Sequence, residues 1–153
     1  MRKITNIIII SRIISGGQTG VDRAALDTAI DLGIDHGGFC PKGRLAEDGE
    51  IPAIYHLTEL ESHKYSQRTL KNVQESGGTL ILHLGKLSGG TLKTIQFCEY
   101  TNKPFHIINV LDEFKQIPVN FTKWAKANNI SILNVAGPRE SETPIYKQAC
   151  LIL

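Results

Sequence analysis

The chain has 153 residues, 41% of them hydrophobic and 21% charged, with a formal net charge of +2. This composition suits one compact soluble domain over residues 1–153 and lacks the basic excess that a nucleic-acid partner requires. The histidines and cysteines show no H-x-x-x-H, H-x-x-E-H or C-x-x-C spacing, so neither a metal site nor a disulfide framework is expected.

The apolar run Asn6 to Ile14 is interrupted by Ser11 and Arg12 and is too short to span a bilayer. It reads as a buried strand, with no signal peptide or membrane partner, and a cytoplasmic location is expected. Val21, Ala24, Ala25, Thr28, Ala29 and Leu32 then recur at i, i+3, i+4 and i+7, which predicts a helix from Val21 that stops at Gly33. A short strand around Gly38 to Cys40 leads into a long loop, Cys40 to Pro52. Beyond it the pattern predicts helices over Tyr65 to Glu75, Leu92 to Thr101 and Phe114 to Asn128, and a short one after Pro144. Strands over Thr79 to Leu84, Pro104 to Val110 and Ile130 to Val135 separate them. Apolar strands alternating with helices predict an α/β fold, a doubly wound and mainly parallel sheet with helices on both faces.

In such a fold a ligand sits beyond the carboxyl ends of the strands. Three loops there carry glycines. Ser15 to Arg23 has the skeleton Ser15-x-Gly17-x-x-Gly20, a dinucleotide fingerprint with serine for its first glycine. Gly16, Gly17 and Gly20 permit close backbone approach, and the helix beginning near Val21 offers free N–H groups to an anion. Asp22 and Thr19 could equally form a capping pair. "LSGGTLKT" puts Gly89, Gly90 and Thr91 at a second helix start but lacks the Walker spacing. "NVAGPRESETP" offers Gly137, Pro138, Arg139 and Ser141, the arginine suited to a bidentate oxyanion contact.

The loop Cys40 to Pro52 brings Lys42, Arg44, Glu47 and Asp48, and its length suggests a lid, with Asp48-Gly49 a simple turn. Arg68 and Asn72 are i, i+4 neighbours that could face the same crevice. The expected ligand-binding set is therefore Ser15, Gly16, Gly17, Gln18, Thr19, Gly20, Asp22, Arg23, Lys42, Arg44, Arg68, Gly89, Gly90, Thr91, Gly137, Pro138, Arg139 and Ser141. An anionic, phosphate-bearing small ligand fits it. Any general acid or base must come from Asp22, Glu47, Asp48 or Glu140.

"SGGQTGVDRAALDTAI", "GFCPKGRLAEDGEIP", "YSQRTLKNV", "SGGTLKT" and "LNVAGPRESETPIY" together resemble the putative molybdenum carrier family. That family is a YpsA-related, circularly permuted branch of the SLOG superfamily of Rossmann-like domains. The resemblance runs from about Ile13 to Tyr146. Val135 to Arg139 resembles the turn after the first strand of DNA-processing protein A, a distant relative, yet stands late here; Ser15 to Asp22 resembles a later turn of that protein and stands first. The resemblance implies a circularly permuted SLOG-type Rossmann-like domain, a cargo of molybdenum cofactor or molybdate, and a homo-oligomer. Gly77 stands where the family has an aspartate, and Thr94 stands where Lonely Guy phosphoribohydrolases carry a catalytic glutamate. The competing readings are a nucleotide or nucleotide-sugar processing enzyme of phosphoribohydrolase type and a nucleotide sensor. A bound nucleotide would favour either of these over a carrier.

Overall fold

A computed structural model describes residues 10–87, 89–112 and 115–153. Positions 6–9 of the first expected strand and Phe114 of an expected helix lie outside the described residues. The strands β1 (Arg12–Ile14), β2 (Asp35–Gly37), β7 (Gly78–His83), β8 (Phe105–Asn109) and β9 (Ile132–Ala136) form one parallel sheet in the order β2-β1-β9-β7-β8. The central strands are apolar on both faces because both faces are covered, as in Leu80, Ile81 and Leu82 of β7, all buried. β2 escapes hydropathy reading because Asp-His-Gly is an edge strand without an apolar run. Reading β9 as the first strand turns the order into 3-2-1-4-5, the dinucleotide-binding arrangement with its first strand moved behind the others. The expected permutation is thus visible in the sheet itself.

Five helices cover the two faces: α1 (Val21–Leu32), α2 (Tyr65–Gln74), α3 (Gly89–Thr101), α4 (Gln116–Ala127) and α5 (Tyr146–Ile152). Side chains alternate along a strand, so Leu80, Leu82, Ile108, Leu133 and Val135 share one face. They pack there with Val21, Ala24, Ala25 and Ala29 of α1, Ile117 and Ala125 of α4, and Ala149 of α5. The opposite face carries α2 and α3. On that face β9 carries Asn134 between Ile132 and Ala136, and its Nδ2 donates to Thr79 Oγ1 at 3.1 Å in full burial. No helix among the described residues is long and apolar enough to cross a membrane.

Two local expectations are corrected. α3 begins at Gly89, not Leu92; Gly89 has φ +55°, a left-handed conformation that glycine adopts without a Cβ penalty. The segment after Cys40 is no bare loop. β3 (Phe39–Cys40) pairs in parallel with β6 (Thr58–Glu59), and β4 (Leu45–Ala46) with β5 (Gly49–Glu50) forms an antiparallel hairpin that turns at Glu47-Asp48. Cys40, Ala46, Ile51 and Tyr55 bury a satellite core against Leu26 of α1. The Asp27 carboxylate of α1 accepts hydrogen bonds from Tyr55, at 2.6 Å, and from Tyr146, which ties this segment and α5 to one helix.

Two glycines set how closely α1 and the end of β9 approach. A Cβ on Gly137 would lie 2.5 Å from Val21 Cγ2 and 2.7 Å from the Leu82 carbonyl oxygen; one on Gly20 (φ +82°) would lie 2.7 Å from the Pro138 carbonyl oxygen. Gly137→Ala should therefore cost ~2 kcal/mol or more in urea unfolding, by overpacking against atoms that cannot yield. Gly33, the left-handed cap of α1 with nothing within 4 Å of its Cβ position, makes the contrast. Gly33→Ala should cost only about 1 kcal/mol, the backbone strain alone.

Candidate functional site

Winding reverses between β9 and β7, since the chain moves outward from β1 to β2 on one side of β9 and from β7 to β8 on the other. Crevices form at the carboxyl ends of strands at such a switch point. A crevice of about 70 Å³ opens there, walled by Gly16, Gln18 and Asp22 before and within α1, Arg68 and Asn72 of α2, Gly90 and Thr91 of α3, and Gly137 to Arg139 after β9. The first turns of α1 and α3 both contribute to it. Backbone N–H groups at both helix starts and their dipoles favour a negatively charged occupant.

The side chains are held in place by the fold. Arg68 donates from Nη1 to the Gly16 carbonyl at 3.0 Å and lies 3.9 Å from Asp22 Oδ2, both charged groups being buried. A Cβ at position 16 would fall 2.3 Å from Arg68 Cδ, so Gly16 is what lets the guanidinium lie flat there. The Arg68 and Arg139 guanidinium carbons sit 5.2 and 5.4 Å from the centre of the Tyr65 ring, which steadies both cations by attraction to its face. Arg139 Nε also approaches Glu142 Oε1 at 3.4 Å. Burial pushes the Asp22 carboxyl up to about 6, against the opposing pull of Arg68 and of the N–H groups of Gln18 and Gly16.

Gln18 is 5% exposed, and its amide is locked in one orientation. Oε1 accepts from the Thr19 N–H at 3.1 Å and the Glu47 N–H at 2.9 Å. Nε2 is buried and finds no acceptor among the described residues. An unpaired buried donor is expensive, and here it belongs to a residue that walls the crevice.

Of the residues expected at the site, Gly16, Gln18, Asp22, Arg68, Gly90, Thr91, Gly137, Pro138 and Arg139 wall the crevice. The others stand behind it. Ser15 Oγ donates to the Asp22 carbonyl at 2.9 Å, and Gly20 is pressed on Pro138. Gly17 accepts at its carbonyl from Arg23 Nε at 3.1 Å, and Gly89 begins α3 outside the wall. Arg23 grips Asp48 bidentately at 2.5 and 2.7 Å. Glu47 accepts from the hydroxyls of Thr19 and Ser141 and from the Ser141 N–H at 3.2 Å. The expected lid is therefore a hairpin whose tip is latched to both neighbouring loops. Arg44 donates to the carbonyls of Ile51, Pro52 and Tyr55, and Lys42 is exposed on the surface. Neither reaches the crevice, because a guanidinium serving backbone carbonyls is a strut for its own loop. Glu140 accepts from the Tyr146 N–H at 3.1 Å at the start of α5, and no capping pair forms between Thr19 and Asp22.

Asn72, expected to face the crevice with Arg68, does line it, and six further wall residues, Thr69, Thr94, Asn134, Val135, Ala136 and Glu142, had no place in the expected set; of these, Asn134 interrupts the otherwise apolar Ile-Leu-Asn-Val-Ala of β9, a signal open to sequence reading. Gly77 bonds to the Ile132 carbonyl at the amino end of β7, the far end of the sheet, so the missing aspartate takes nothing from the crevice. Cys40 lies in the satellite core with its thiol pushed up by burial, and the walls present nitrogen and oxygen donors without sulfur. No cluster of metal-ligating side chains occurs among the described residues.

The family model described as the circularly permutated YpsA SLOG family matches residues 13–153. A crystal structure of a putative molybdenum carrier protein from Syntrophus aciditrophicus SB is similar to this chain at 44% identity and a TM-score of 0.93, over 95% of this chain and 93% of that one. No curated protein matches.

Asp22 makes its own mark on stability. Its folded value, about 6, lies above the unfolded 3.8, so its contribution is fully present below pH 3.8 and is lost as pH rises through about 6. Wild type should therefore gain on Asp22→Asn by ~3 kcal/mol as pH falls from neutrality to about 4, in urea titrations across that range. The exposed carboxylates Glu47 and Asp48, held below their usual range by Ser141 and Arg23, act in the opposite direction in both proteins and cancel in the difference.

Proposed function

Because the chain belongs to the circularly permutated YpsA SLOG family, we propose that it is a small-molecule carrier that holds the oxyanion part of its cargo in this crevice, with molybdate or the phosphate of molybdenum cofactor as that part. The observation that supports the reading is Gln18, a residue of the crevice wall between two helix starts, whose buried Nε2 donor has a fixed orientation and no partner among the described residues. The residues fit an oxyanion. Arg68 and Arg139 supply charge, Thr91 a hydroxyl, and the first turns of α1 and α3 their backbone N–H groups. They would meet the cargo through its oxygen atoms rather than by ligating a metal. The crevice of about 70 Å³ suits a tetrahedral oxyanion or phosphate head, and the remainder of a larger cargo would extend out of it.

A second reading rests on Asp22 alone. A buried carboxyl with its value near 6 beside an arginine is equipped for general acid or base work, as an N-glycosidic phosphoribohydrolase needs. That enzyme would release free base from nucleoside monophosphates, and Asp22→Asn would abolish the release.

Titration calorimetry with sodium molybdate and with inorganic phosphate tests the carrier. Gln18→Glu keeps the shape and the Oε1 acceptor but replaces the donor with a second oxygen, and Arg139→Ala removes a cation. Each should weaken oxyanion binding at least ~10-fold while the melting temperature stays within a few degrees. Unchanged affinity in both would put the cargo elsewhere on the molecule.

A further inference from the structure

We infer that the oxyanion is held together with one proton, shared between a ligand oxygen and the Asp22 carboxyl, and that this proton decides which oxyanions the crevice accepts. An oxyanion that already carries a proton, such as hydrogen phosphate or the monoanion of a phosphate monoester, enters as it is. One that carries none, such as molybdate, enters only with a proton taken from solvent. The inference rests on the oxyanion reading of the crevice given above.

Asp22 belongs to the wall of the crevice, with Arg68 3.9 Å from its Oδ2, so an occupant drawn to the arginine lies beside the carboxyl. A carboxylate and an oxyanion in contact without water between them repel strongly, which is the condition under which one of two such groups takes a proton. The charged side chains of the wall are Arg68, Arg139, Asp22 and Glu142, which sum to zero when all are ionised. Protonation of Asp22 turns the crevice cationic. Glu142, the other carboxylate of the wall, is paired with Arg139 at 3.4 Å.

The other groups around Asp22 do not remove the need. Arg68 faces it from α2 at 3.9 Å, and Arg23 from α1 is committed to Asp48. α3 contributes only Gly90, Thr91 and Thr94, and β9 the neutral Asn134. In the hairpin, Glu47 is held by Thr19 and Ser141. The Asp22 carboxyl, already pushed up to about 6 by burial, is the group nearest to taking a proton when an anion arrives.

Calorimetry of the wild-type protein with molybdate, at about pH 7.5 in two buffers of different ionisation enthalpy, counts the protons exchanged. We expect uptake of about one proton per molybdate and a Kd that weakens about tenfold for each pH unit above Asp22's own titration. Hydrogen phosphate should bind with little uptake. Asp22→Asn should bind molybdate with no uptake and a Kd flat with pH. Molybdate binding to wild type without proton uptake overturns the inference and leaves the carrier reading standing. Uptake that persists in Asp22→Asn also overturns it, since the proton then resides elsewhere. Failure of both oxyanions to bind at any pH from about 5 to 8 overturns the carrier reading and this inference together.

Discussion

The architecture depends on one steric constraint: no side chain fits between the first turn of α1 and the segment leaving β9. Gly137 lies against Val21, and Gly20 against the Pro138 carbonyl. This contact sets how narrow the crevice is and brings Asp22, in the first turn of α1, into its wall. The first turns of α1 and α3 both line that crevice. Gly16 repeats the device on the α2 side, where the absence of a Cβ gives Arg68 its seat. Electrostatics here are a consequence of packing, because a wider gap would admit water and raise the local dielectric.

Burial then separates residues of similar chemistry into different work. Arg68 and Asp22 are shielded, and their charges act on what enters the crevice. Arg23 and Asp48, Thr19 and Glu47, and Ser141 and Glu47 meet near the surface and hold the hairpin down. Exposed pairs of this kind each contribute little, and several together on one turn act as a latch rather than as a source of stability. Glu47 links the latch to the site, since its N–H fixes the amide of Gln18, a residue of the crevice wall.

The helices were legible in the sequence because burial of one face enforces a repeat of 3.6, and the strands because burial of both faces makes continuous apolar runs. The glycine loops were legible too, since Gly16, Gly90 and Gly137 do line the crevice. The segment from Cys40 to Glu59 was not, because its strands are two residues long and its core, Cys40, Ala46, Ile51 and Tyr55, forms only through contact with Leu26 of α1. Local chemistry also cannot tell a binding arginine from a strut. Arg44 and Arg68 look alike in sequence, and only the carbonyls gathered around the first separate them. In the sequence Gln18 is marked out by its glycine neighbours alone, whereas the fixed orientation of its amide arises from the distant Glu47 N–H.

β9 pairs with β1 on one side and with β7 on the other, whereas the pairs β2-β1 and β7-β8 share no ladder with each other. Since β9 follows all the other strands of the sheet in the chain, a growing polypeptide holds two separate parallel pairs with open apolar edges until residues 132–136 slot between them. Translation therefore completes the crevice late. A nascent chain has no cradle to load, and its unjoined edges are the surfaces a chaperone would need to shield until the sheet closes.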